Sequence, residues 1–120
     1  MPEAAATTRR FDEPDELRES PLGRFELVQI GGMTFGRAEY APGWRWSEHV
    51  GAAVGGKAVC DGAHLGLVIS GRNRIEMTDG RIIEVEPGDL FEIGPGHDSV
   101  VIGDEPYVSI HFLGADTYAK

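Results

Sequence analysis

Apolar and polar positions alternate in short runs along most of the chain, and no stretch between Phe25 and Phe112 sustains a helical period. The pattern predicts strands over 25–30, 33–40, 44–49, 64–70, 74–78, 81–85, 90–93, 99–102 and 107–112. Turn chemistry separates them: Gly31-Gly32, Pro42-Gly43, Gly71-Arg72-Asn73, Pro87-Gly88-Asp89, Gly94-Pro95-Gly96 and Gly103-Asp104-Glu105-Pro106. Asp79-Gly80, flanked by Ile75 and Met77 on one side and Ile82 and Val85 on the other, reads as a two-residue hairpin. Many short strands at regular spacing argue for a sandwich or barrel. Val50 to Ala63, rich in glycine and alanine, is the one long break, and a break of that length in a compact domain is usually functional or disordered.

The first 21 residues differ in kind. They carry Glu3, Asp12, Glu13, Asp15, Glu16 and Glu19 with little to bury, which is the composition of a flexible acidic arm. Phe11 and Leu17 are the positions by which part of it could dock. The expected organisation is an arm over 1–21 and one β domain over 22–120, and 120 residues leave no room for a second core. The 17 glycines fit a fold built on tight turns.

A net charge of −9 repels phosphate backbones and anionic lipid, so neither nucleic acid nor a membrane surface is an expected partner. No apolar run reaches the roughly 20 residues of a membrane helix, and Met1 to Arg10 lacks the apolar centre of a signal peptide; the expected location is cytoplasmic. Cys60 is the single cysteine, which rules out an internal disulfide.

Three stretches carry the chemistry: Gly43-Trp44-Arg45-Trp46-Ser47-Glu48-His49, His64-Leu65-Gly66-Leu67-Val68-Ile69-Ser70-Gly71, and Pro87-Gly88-Asp89-Leu90-Phe91-Glu92-Ile93-Gly94-Pro95-Gly96-His97. Over about residues 33 to 113 the chain resembles the cupin superfamily. That family's first motif places a His-x-His pair and a glutamate between glycines, and its second runs glycine, Pro-x-Gly, then histidine. A subgroup of small bacterial cupins also shows the Cys-x-x-x-His-x-Gly stretch and Pro-Gly-His-Asp turn, matched here by Cys60, His64, Gly66 and Pro95 to Asp98. The match is imperfect: His49 stands alone where the pair is expected, His64 takes the glutamate position, Ser99 takes the second-motif histidine position, and His97 comes two residues early.

The resemblance implies an all-β, single-domain jelly-roll barrel, antiparallel, with a short, partly disordered N-terminal arm. It also implies a divalent transition metal (zinc, iron, nickel or manganese) held by His49, His64, His97 and Cys60. Imidazole and thiolate suit such ions, and three ligands leave a position open. Cys60 is equally well read as an inert packed thiol. Trp46, Ser70, Glu92, Asp98 and His111 are candidates for the pocket wall or for orienting a ligand imidazole. His111, alternating with Val108, Ile110 and Phe112, reads first as exposed. On the 64–70 strand the row Leu65, Leu67, Ile69 is the more apolar, and only the resemblance turns His64, Gly66, Val68 and Ser70 inward.

The expected function is a small metal-binding cupin that binds or acts on a small organic molecule inside the barrel. The alternative is a metal-free binding or sensor cupin without catalysis. Isomerase, lyase, hydrolase and dioxygenase chemistry all fit the first reading, and a homodimer is expected by analogy with small cupins.

Overall fold

The computed structural model describes residues 6–60 and 62–113. Among the described residues there are nine strands: β1 (Glu16–Ser20), β2 (Gly23–Ile30), β3 (Met33–Tyr40), β4 (His64–Ser70), β5 (Arg72–Met77), β6 (Ile82–Val85), β7 (Leu90–Ile93), β8 (His97–Ile102) and β9 (Tyr107–Leu113). They form a six-stranded sheet in the order β1-β2-β3-β9-β4-β7 and a three-stranded sheet in the order β6-β5-β8. Every pairing is antiparallel. The fold is all-β, but the expected closed barrel is corrected: among the described residues no ladder joins the two sheets. They face one another over a shared core that includes Phe25, Tyr40, Trp44, Val68, Ile75 and Val101.

The chain changes sheet between β4 and β5 at Gly71. Its φ of 73° is left-handed, and a Cβ there would press on the Pro106 carbonyl and lie 2.7 Å from Tyr107 Cα, so only glycine turns this corner. A hairpin joins β5 and β6 at Asp79-Gly80, but not with the expected two-residue loop: Met77 N–H donates to the Arg81 carbonyl at 2.8 Å, so Thr78, Asp79 and Gly80 form the loop, with Gly80 left-handed at φ 92°.

Two segments depart from the sequence reading. Within the stretch read as an arm, Glu16–Ser20 pairs with β2 as edge strand β1. Ahead of it Asp15 N–H donates to the Leu27 carbonyl at 2.8 Å, and the Asp15 carboxylate accepts from Gln29 N–H at 2.7 Å. The predicted 44–49 strand is extended only at its start, where Arg45 bridges Val100 and Trp44 and Trp46 are buried. From Ser47 to Gly51 the backbone turns into a π-helix. Asp98 is the reason: its carboxylate accepts from Ser47 N–H at 2.9 Å and Ser47 Oγ at 2.8 Å, and pairs with Arg45 at 2.8 Å. Bonds to an ionised acceptor outweigh the edge ladder that an extended 47–49 would make.

Candidate metal centre

β4 runs buried, exposed, buried from its first residue, so His64, Gly66 and Val68 face inward while Leu65 and Ile69 lie 38% and 50% exposed. Gly66 has no alternative residue at that register. It lies between His111 on β9 and Phe91 on β7, and a Cβ would meet the Ile110 carbonyl and come within 2.6 Å of Phe91 Cζ. The tight fit holds β4, β7 and β9 together around His64.

Cys60 reaches the same place from the long break. It bridges His97, with Cys60 N–H donating to the His97 carbonyl at 2.6 Å and Gly96 N–H to the Cys60 carbonyl at 2.8 Å. The Sγ of Cys60 then lies 3.4 Å from His64 Nε2. His97 opens β8 rather than sitting in the preceding turn, and its ring stands 5.3 Å from that of His64. With Nδ1 of His97 2.9 Å from the Gly94 carbonyl, that nitrogen is the donor and the tautomer leaves the Nε2 lone pair for a ligand.

Donor atoms of Cys60, His64 and His97 all lie within 4.8 Å of one another, and all three residues are buried. Ligands about 2.3 Å (sulfur) and about 2.0 Å (nitrogen) from one tetrahedral ion sit roughly 3.5 Å apart, so the Cys60–His64 separation already fits. Burial is the main cause that pushes His64 down to about 4, with His97 nearby adding to it. His97 is also lowered by burial, against an opposing pull from the Gly94 carbonyl and Asp98. Neutral imidazole, the ligating form, is thus the resting state at neutral pH.

His111 lies buried beside the trio, its ring 5.4 Å from that of His64, which corrects the exposed reading. Burial first and His64 second push it down to about 3. Its Nε2 is 3.1 Å from Ser109 Oγ. Ser109 and Asn73 both hydrogen-bond the Tyr107 phenol, which burial raises above its ordinary value. Asn73, Tyr107 and Ser109 escaped the sequence reading, which had named His111 as a pocket candidate and had placed Ser99 only at the second-motif histidine position. The signal was present as the alternation of Tyr107, Ser109 and His111, but the apolar row between them was taken as the inward one.

The other candidates go elsewhere. His49 sits on the π-helical turn, its Nδ1 3.0 Å from the Arg45 amide nitrogen, outside the trio. Glu92 is exposed on the outer face of β7, opposite Leu65. Ser70 is at the far end of β4, donating to the Pro106 carbonyl at 3.3 Å. Asp98 alternates with the inward His97 and Ser99 and holds the π-helical turn instead. Trp46 does line the interior.

Between the sheets, His64, His97 and His111 open on a cavity of about 30 Å³ bounded also by Trp44, Trp46, Asn73, Phe91, Ser99 and Tyr107. A roomier hollow of about 240 Å³, near Arg72, Glu86 and Glu105, lies at the opposite end of β4 and has no histidine or cysteine. The chemistry belongs to the smaller one.

No protein-family model matches the chain, and no curated protein matches its sequence. Solved structures do match. A cupin-2 domain protein from Rhodospirillum rubrum is similar at 17% identity and TM-score 0.59, over 88% of this chain and 72% of that one. A Klebsiella pneumoniae protein with a double-stranded β-helix domain is similar at 16% identity and TM-score 0.58, over 89% and 88%. Oxalate decarboxylase from Lactobacillus farciminis, solved with formate, is similar at 16% identity and TM-score 0.59; the match covers 89% of this chain but only 33% of the enzyme. With the two facing antiparallel sheets, these likenesses give the chain the cupin fold. Among the described residues no helix is long and apolar enough to cross a membrane.

Proposed function

We propose that the protein is a metal-binding cupin in which Cys60, His64 and His97 hold one divalent transition ion and a small organic molecule approaches its open side. The observation that carries this is the convergence of three buried donor atoms within 4.8 Å, drawn from the long break, β4 and β8. A thiolate with two neutral imidazoles suits zinc, iron or nickel better than manganese, which prefers oxygen donors. Such an ion supplies Lewis acidity toward a bound oxygen. The chain's own part is to hold the imidazoles neutral, fix the His97 tautomer through Gly94, and keep bulk water out behind Phe91 and Trp46.

Metal content of untagged protein, supplied in turn with zinc, iron, nickel and manganese, tests the reading. His64→Ala and Cys60→Ser should each lose most of the ion and keep the β fold, while His49→Ala keeps the ion. Equal metal in wild type and His64→Ala, or none in either, sinks the proposal and leaves metal-free binding as the function of the cavity.

A further inference from the structure

The outer face of the six-stranded sheet takes no part in the site. On β4, β7 and β9 the residues turned away from the core include Leu65, Leu67, Ile69, Leu90, Ile110 and Phe112. Register makes them neighbours, with Leu67 opposite Leu90 on one side and Ile110 on the other. Leu65, Ile69 and Leu90 are exposed, and Leu67, Ile110 and Phe112 are half-buried. Phe35 on β3 extends the patch, its ring 6.4 Å from that of Phe112. Glu92 is the one charge among the described outward residues of β4, β7 and β9.

Size and charge decide what covers it. Four strands about 4.8 Å apart, each giving about five residues of about 3.3 Å, make an apolar centre of roughly 300 Å², the range in which an exposed patch marks an interaction surface. The whole six-stranded face is roughly 600 Å² in plan and larger as accessible surface, close to the ~800 Å² per partner of a standard interface. Beside the centre, Arg37 pairs with Glu26 at 3.0 Å and with Glu39 at 2.9 Å, and Arg24 pairs with Glu26 at 3.4 Å. Their charges cancel and leave a polar rim of the kind interfaces have. Most of the net charge of −9 therefore lies elsewhere, so two copies repel least when these faces meet, while a basic partner is drawn to other surfaces. Segments of this chain outside the described residues do not suit the patch. Residues 114–120 offer Tyr118 as their one large apolar side chain, and residues 1–5 precede a stretch that Arg9 ties to Gln29 and Asp15, toward the β1 edge of the sheet.

We infer that a second copy of this chain covers the face, the two sheets stacking through β9, β4 and β7 about a two-fold axis. The contact is isologous, so the same patch with Leu67 and Ile110 at its centre serves both copies. Twisted sheets stack about 10 Å apart with their strands within roughly 30° of one another, which lets the two apolar rows interdigitate. None of this depends on a metal ion, since His64, Gly66 and Val68 face the opposite way on the same strand.

Sedimentation velocity of the untagged chain tests it. Wild type should run as a dimer at about 50 μM, where a Kd near 1 μM leaves little monomer. Ile69→Glu on β4 and Leu90→Glu on β7 change side chains that are 50% and 74% exposed, so each should keep the far-UV circular dichroism of wild type. Each should also raise the dimer Kd about thirtyfold or more, because a carboxylate is then buried in the apolar centre of both copies. Ile82→Glu, at a 60% exposed position on β6 of the smaller sheet, should dimerise as wild type does. If one of the two β4 and β7 variants does not fold, the other decides. A wild-type monomer at that concentration overturns the inference, and one that dimerises once residues 114–120 are removed assigns the face to that segment instead. A dimer that tolerates both Ile69→Glu and Leu90→Glu, or that Ile82→Glu disrupts, overturns it too by placing the contact on another face.

Discussion

At His64, His97 and His111 burial works against the charged imidazolium, and the consequence for stability has a definite sign. The unfolded chain takes up protons near the ordinary imidazole value of about 6.5, whereas His64 resists until about 4 and His111 until about 3. As pH falls below 6.5 the unfolded state binds protons first, so the folded state loses ground steadily through that window and is fully stable above it. At pH 5 each of the two contributes a loss of about 2 kcal/mol, from about 1.4 kcal/mol per unit. Urea denaturation of chelator-treated protein at pH 7 and pH 5 should show this drop. A midpoint unchanged between the two would mean that the three rings are not buried neutral. An ion on the trio steepens the dependence, since protons compete for the same nitrogens.

β4 and β9 present their more polar rows to the interior at the site end: His64 and Gly66 on one, Ser109 and His111 on the other. The apolar residues Leu65, Ile69 and Leu90 are left exposed on the outer face, Leu90 by 74%. What makes this arrangement tolerable is that the inward polar groups hydrogen-bond one another, His111 with Ser109 and His64 with Cys60. Gly66 sets the spacing of β4 from β7 and β9, so Gly66→Ala overpacks the joint and should cost about 1–3 kcal/mol in urea denaturation. Gly94→Ala, where an added Cβ meets nothing within 4 Å, is the control and should stay within about 0.5 kcal/mol. Equal stability of the two variants would show that the β4–β9 contact has slack.

Over the whole molecule the core is shared by two sheets, and the N-terminal segment belongs to the larger one. Arg9 donates to the Gln29 carbonyl and pairs with Asp15, both at 2.8 Å, which ties the chain ahead of β1 along β2. Arg18 has a side chain only 9% exposed and lies within a paired strand, whereas Lys57 sits exposed in the long break. Limited trypsin treatment should therefore cut after Lys57 well before it cuts after Arg18, as intact-mass spectrometry would show. Early loss of the first 18 residues would instead make β1 a loosely attached edge.

The sequence by itself determined where most of the strands and turns fall, β1 and the π-helical turn from Ser47 excepted, because a period of two and the glycine and proline punctuation are local properties. It also marked Cys60, His64 and His97, because few other residue types bind transition ions. It did not determine which face of β4 and β9 turns inward: alternation is symmetric, and only packing between sheets breaks the tie, here in favour of the polar row. The Asn73–Tyr107–Ser109 chain was hidden for that reason, and His111, though a candidate for the pocket wall, read first as exposed. His49 and Glu92 went the other way, one drawn into a π-helical turn by Asp98 and the other carried outward by the register of β7 against β4. Tertiary structure alone decided these, since each depends on a partner far away in the chain.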